Sequence, residues 1–105
     1  MPIFRVVVSG DGCQADMGGG VQPCSFRVLC HVWATDPAVA ANMAAQLVRA
    51  APSFVRATRH RTGPVSPVYI EEVDVAPAGE IREAIAPFRF FPPDDDLHRV
   101  AYLER

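Results

Sequence analysis

The chain contains no lysine; all ten of its basic residues are arginines, alongside fifteen alanines. We read that as composition bias of the genome rather than chemistry. Long apolar runs are missing too. The longest, Ala38–Val48, is interrupted by Asn42 and Gln46 and is too short to span a bilayer. Met1–Val8 has neither a basic head nor a long apolar segment, so no signal peptide is expected. Cysteine is scarce and odd in number: three residues do not make a disulfide framework, which favours a reducing compartment. Cys24 and Cys30, if carried by one extended strand, lie roughly 20 Å apart, too far to bridge. By elimination the sequence predicts a soluble, cytoplasmic protein.

What is present is a chain of 105 residues, half of them hydrophobic, enough for one domain over 1–105 with a modest core and too apolar for disorder. Its centre is Ser25–Pro52. Over Ser25–Ala34, Phe26, Val28, Cys30, Val32 and Ala34 share one parity, and Arg27, Leu29, His31 and Trp33 the other. That is a strand with one apolar and one mixed face. Thr35-Asp36-Pro37 then starts a helix, with Asp36 as N-cap and Pro37 at the first position. Val39, Ala40, Met43, Ala44, Leu47, Val48 and Ala51 form its apolar stripe, and Pro52 stops it.

Around this unit the chain reads as follows. Ile3–Ser9 is a first strand with Phe4, Val6 and Val8 inward, joined to the second by a glycine-rich connection, Gly10–Cys24, as an antiparallel hairpin. Ser53–Val65 reads as an irregular basic linker anchored by Phe54 and Val55. Ser66–Val75 is a third strand whose phase shifts at Glu71-Glu72, the sign of a bulge. Pro77–Ala86 suggests a turn or two of helix. Phe88–Pro93 is an apolar patch without a clear period, and Asp94–Arg105 favours a helix, with a short edge strand as the other option. The expected fold is α+β: an antiparallel sheet of three or four strands in ββαβ order with one main helix across a face, in the style of a ferredoxin-like sandwich. The face carrying Leu29 and Trp33 then needs a cover, from the Phe88–Pro93 segment or from a second subunit, so a homodimer is expected.

Charge divides the chain. Residues 37–70 hold four arginines, Arg49, Arg56, Arg59 and Arg61, and no acid; residues 71–105 hold nine acids and four arginines. The simplest reading is that basic waist and acidic third face each other, within a monomer or across a dimer. As a binding surface, the arginines suit an anion or an acidic protein partner. A sequence pI of about 5.8 and a single aromatic, Phe54, within Arg49–Arg61 argue against nucleic acid.

No catalytic or metal fingerprint is complete. The loop with Gly10, Gly12 and Gly18-Gly19-Gly20 leads into a strand rather than a helix, so it is not a phosphate cradle. Cys13, Cys24, Cys30, His31, His60 and His98 contain no close ligand pair, and Cys30 and His31 point to opposite faces. Neither a metal nor a cofactor is expected. The acidic clusters Glu71-Glu72-Asp74 and Asp94–Asp96 lack the spacing of a calcium loop. Met1-Pro2-Ile3-Phe4 resembles the start of tautomerase-superfamily chains. The resemblance implies that Pro2, once the methionine is removed, acts as a neutral-pH base, with an arginine such as Arg49 or Arg59 holding a substrate carboxylate. It covers about eight residues, and the family's helix after the first strand is replaced here by a glycine-rich loop and another strand. The leading expectation is a non-enzymatic interaction module, of inhibitor or immunity type, binding through Trp33, Arg56, Arg59 and Arg61; the alternative is the small Pro2 enzyme.

Overall fold

The computed structural model describes residues 2–16, 18–59, 67–77, 84–92 and 102–103. Its elements run β1 (Ile3–Asp16), β2 (Val21–Trp33), α1 (Pro37–Ala50), α2 (Pro52–Thr58), β3 (Val68–Val75), β4 (Arg89–Phe91) and β5 (Tyr102–Leu103). The sheet is antiparallel and ordered β4-β2-β1-β3, with the two-residue β5 on the outer edge of β3. The expected α+β class and antiparallel sheet are therefore observed. The helical layer differs from the expectation in having two members.

The hairpin β1–β2 dominates. The stretch Gly10–Cys24, expected to be a glycine-rich connection, is mostly strand: only residues 17–20 separate β1 from β2. Glycine misled because two of these glycines serve a β-bulge rather than a loop. Register slips between Gly10 and Cys13, where Asp11 and Gly12 together oppose Ser25. Gly12 takes φ +72°, a conformation that side chains resist. Ser25 Oγ donates to Asp11 Oδ1 at 2.8 Å and fastens the bulge. The second bulge falls where the phase shift predicted it: Val7 pairs with Glu72 and Val8 with Ile70, leaving Glu71 as the extra residue of β3.

Directly opposed residues of an antiparallel pair share a face. Phe4, Val6 and Val8 of β1 and Phe26, Val28, Cys30 and Val32 of β2 thus meet on one face, and all are buried there. α1 covers that face with Ala40, Ala44, Ala45 and Val48, small enough to let the helix approach closely. The predicted stripe is rotated slightly: Val39 and Met43 sit on its exposed flank. Asp36 caps α1 as expected, its Oδ1 accepting from Val39 N–H at 3.0 Å. Pro52 does end α1, but it also occupies the first turn of α2, so residues 53–58 of the expected irregular linker are helical. Phe54 anchors α2, meeting Phe26 edge-on with ring centroids 5.8 Å apart; Val55 is exposed.

Downstream of β3 the expectations need more revision. Of the helix expected over Pro77–Ala86, residues 78–83 lie outside the described residues. The rest of its end is extended: His31 N–H donates to Ala84 C=O and Ala86 N–H to Leu29 C=O, both at 2.9 Å. The described part of the Phe88–Pro93 segment, residues 88–92, does not cover the Trp33 face. It continues this pairing along the outer edge of β2 as β4 and turns Phe88 and Phe90 toward Phe26 on the helix side. Edge pairing, not surface cover, satisfies the free amides of β2. Within Asp94–Arg105 the described residues, Tyr102 and Leu103, form an edge strand on β3 rather than helix; the remainder lies outside the described residues. No helix among the described residues is long and apolar enough to cross a membrane.

Candidate functional site

The second sheet face carries the polar chemistry. By register it presents Arg5, Val7 and Ser9 from β1, Arg27, Leu29, His31 and Trp33 from β2, Tyr69, Glu72 and Asp74 from β3, and Arg89 and Phe91 from β4. Adjacent strands bring Arg5, Arg27 and Arg89 together although they are 22 and 62 positions apart in sequence (27 − 5 and 89 − 27). These arginines rim a cleft of about 500 Å³ floored by Val7, Leu29, Ala86 and Pro87, and no carboxylate among the described residues belongs to its wall.

Arg27 is the best-positioned of the three. Its Nε donates to Glu71 Oε1 at 3.1 Å, and its guanidinium carbon lies 5.6 Å from the centre of the Phe91 ring. It is thus steadied by a carboxylate on one side and an aromatic face on the other. Glu71 is the extra residue of the bulge in β3. At the far end of the face Trp33 is 61% exposed, a large apolar side chain turned to solvent. His31, expected outward, is buried, since the pairing of Ala84 and Ala86 closes over its edge of β2.

The expected site residues are not brought together. Trp33 shares the arginine face. Arg56 lies on α2, in the other layer, where with Ser53 and Ala57 it lines a cleft of about 280 Å³ against Gln14, Ala15, Asp16 and Val21 at the hairpin tip. Arg59 is exposed at the end of α2. Arg61, like His60 and His98, lies outside the described residues. Pro2 is exposed beside the start of β1, where its carbonyl accepts from Ala34 N–H at 3.3 Å, and none of these clefts includes it. β1 runs from that end to the tip that Arg56 faces, roughly 40 Å at strand rise. Arg5 and Arg89 were not anticipated as site residues. Arg27 was visible as part of the mixed face, but only the pairing of β4 with β2 shows that Arg89 joins it.

All three cysteines are buried thiols. Burial raises the Cys24 thiol above its ordinary range and pushes Cys30 up to about 12, so neither is a ready nucleophile at neutral pH. Among the described residues no group of three or more histidine, cysteine or acidic side chains could hold a metal ion.

The fold and this face define the class: an α+β domain with an arginine-rimmed, apolar-floored sheet surface. Beyond the class, no family model, curated protein or solved structure matches the chain.

Proposed function

We propose that this protein is a binding module, of inhibitor or immunity type, that engages an acidic protein partner through the sheet face bearing Arg5, Arg27, Arg89 and Trp33. The observation that carries this reading is the cleft in which three guanidinium groups surround an apolar floor, with no carboxylate among the described residues of its wall. Arginine offers forked donors to carboxylates, and its weak hydration lowers the cost of covering it. Trp33 supplies the exposed aromatic that interface centres favour. The scaffold supports the ferredoxin-like style in one respect. β2 and β3 are both antiparallel to β1, flank it, and are joined through the helices, so the chain makes one split β-α-β crossover.

The basic waist at Arg56 and Arg59 is then a separate, solvated charge on the helical layer. The test uses a fluorescein-labelled peptide alternating glutamate with leucine or phenylalanine, followed by anisotropy. Binding should weaken as salt rises from 50 to 500 mM, to be lost in Arg89→Glu, and to survive Arg56→Glu. Binding unaffected by Arg89→Glu, or none at low salt, would sink the assignment of this face.

A further inference from the structure

The bulge in β1 has a consequence for two cysteines. Because register shifts by one residue at Asp11-Gly12, Cys13 stands directly opposite Cys24. Without that extra residue the pairing of Ile3–Gly10 would continue, and Cys13 would face Gln22's neighbour Pro23 instead. Directly opposed residues of an antiparallel pair have Cα atoms about 4.5–5.5 Å apart. That interval falls inside the roughly 4.4–6.8 Å over which a disulfide closes without backbone movement. Both side chains leave the sheet on the same face, and both are buried in the core beside the helical layer. Cys30, on that face too, pairs with Val6 and Ile85 and has no cysteine opposite it.

We propose that Cys13 and Cys24 are a reversible oxidation site, closing a cross-strand disulfide that staples the outer half of the hairpin. With glutathione disulfide as oxidant the reaction balances. One cysteine, as its thiolate, attacks the glutathione disulfide, forming a mixed disulfide and expelling a glutathione thiolate. The second cysteine, again as its thiolate, attacks the protein sulfur of that mixed disulfide. The protein disulfide forms, a second glutathione thiolate leaves, and the two protons given up by the cysteines end on the two glutathiones. Two electrons pass from the protein to the oxidant. Burial shields both thiols in the folded chain, so the bond closes when the hairpin arm opens or during folding. Once closed it locks the pairing from Cys13↔Cys24 to Asp16↔Val21, and with it the wall that Gln14, Ala15, Asp16 and Val21 give to the cleft beside α2. This inference does not depend on the arginine face.

The experiment is refolding of the reduced, urea-unfolded full chain in a buffer of reduced and oxidised glutathione, taken to equilibrium. Acid quenching, alkylation in denaturant and mass mapping follow. Trypsin keeps Cys13 and Cys24 in one peptide, since no arginine lies between Arg5 and Arg27, and cuts Cys30 away from them at Arg27. The expected result is a peptide spanning Val6–Arg27 that lacks both alkyl groups and about 2 mass units. Cys30 is alkylated, and dithiothreitol restores all three thiols. Cys30→Ser should leave that result unchanged. Three alkylated cysteines at equilibrium, stable glutathione adducts on Cys13 or Cys24, or a bridge that includes Cys30 would each overturn the proposal.

Discussion

Arg27 on β2 reaches across β1 to Glu71 on β3, with Nε and Oε1 3.1 Å apart. The pair straps three strands, and its carboxylate belongs to the extra residue of the β3 bulge. Its strength is limited by solvent: the Arg27 side chain is 52% exposed and that of Glu71 15%. A double-mutant cycle with Arg27→Gln and Glu71→Gln, read by urea unfolding, should give a coupling of about 0.2–1 kcal/mol that shrinks at 1 M salt. A coupling unaffected by salt would mean that packing, not charge, holds the two side chains together.

Gly10 is the position where a single methyl should do most damage. Phe26 is its cross-strand neighbour, and the ring lies over the glycine: a Cβ there would come within 2.7 Å of Phe26 Cζ and closer still to Cε2. The ring has little freedom to retreat, being fully buried between Phe54 and Phe88. Gly10→Ala should therefore cost about 1–3 kcal/mol in urea unfolding, despite the higher strand propensity of alanine. Gly19→Ala, with nothing within 4 Å of the added atom, should cost far less.

These two positions also show how far the sequence could be read. Parity alone placed Phe26, Val28, Cys30 and Val32 on the buried face, and a local break in parity located the Glu71 bulge. Local signals worked because each concerned neighbours in sequence. Gly10 and Gly12 were read as loop residues because glycine marks both turns and close approaches, and only the partner strand tells which. Residues 53–58 were read as linker although Phe54 was named as its anchor, because a seven-residue helix that buries two residues, Phe54 and Ala57, leaves too short a pattern to show. The arginine cleft was illegible for the same reason in stronger form. Arg5, Arg27 and Arg89 meet only through the pairing of β1 with β2 and β2 with β4, and a three-residue edge strand leaves almost no pattern.

Cys30 should give the fold a measurable weakness in alkali. Burial pushes its thiol from 9.0 up to about 12 in the folded chain. The folded state therefore holds a proton that the unfolded state releases, and the stabilisation from keeping this thiol neutral is complete below pH 9. As pH rises from there toward 12 it is lost, at up to about 1.4 kcal/mol per pH unit. Cys30→Ala lacks this proton. Its stability at pH 7 should be lower because of the space left in the core, but the decline from pH 9 upward should be shallower than that of the parent chain. Equal slopes in urea-unfolding series of the two proteins would show that Cys30 does not carry the alkaline loss.

Two serines, equally buried, should respond in opposite directions. Ser9 and Ser25 both show no exposed surface. Ser25 Oγ donates to Asp11 Oδ1 at 2.8 Å, whereas Ser9 Oγ finds no hydrogen-bond partner among the described residues. Ser9 is opposite Arg27 in the register, on the strand that the Arg27–Glu71 contact crosses, which accounts for its burial. A buried hydroxyl without a partner loses its water and gains nothing, so removing it should help or be neutral. Ser9→Ala is expected to change stability by between zero and about 1 kcal/mol in the favourable direction. Ser25→Ala removes a made bond and loosens the bulge at Asp11-Gly12, and should cost about 1 kcal/mol or more. Urea midpoints measured side by side decide the matter, since the same chemical change is made at the same burial. If Ser9→Ala proves as costly as Ser25→Ala, the Ser9 hydroxyl has a partner, and the polar face of the sheet is bonded differently from the arrangement described.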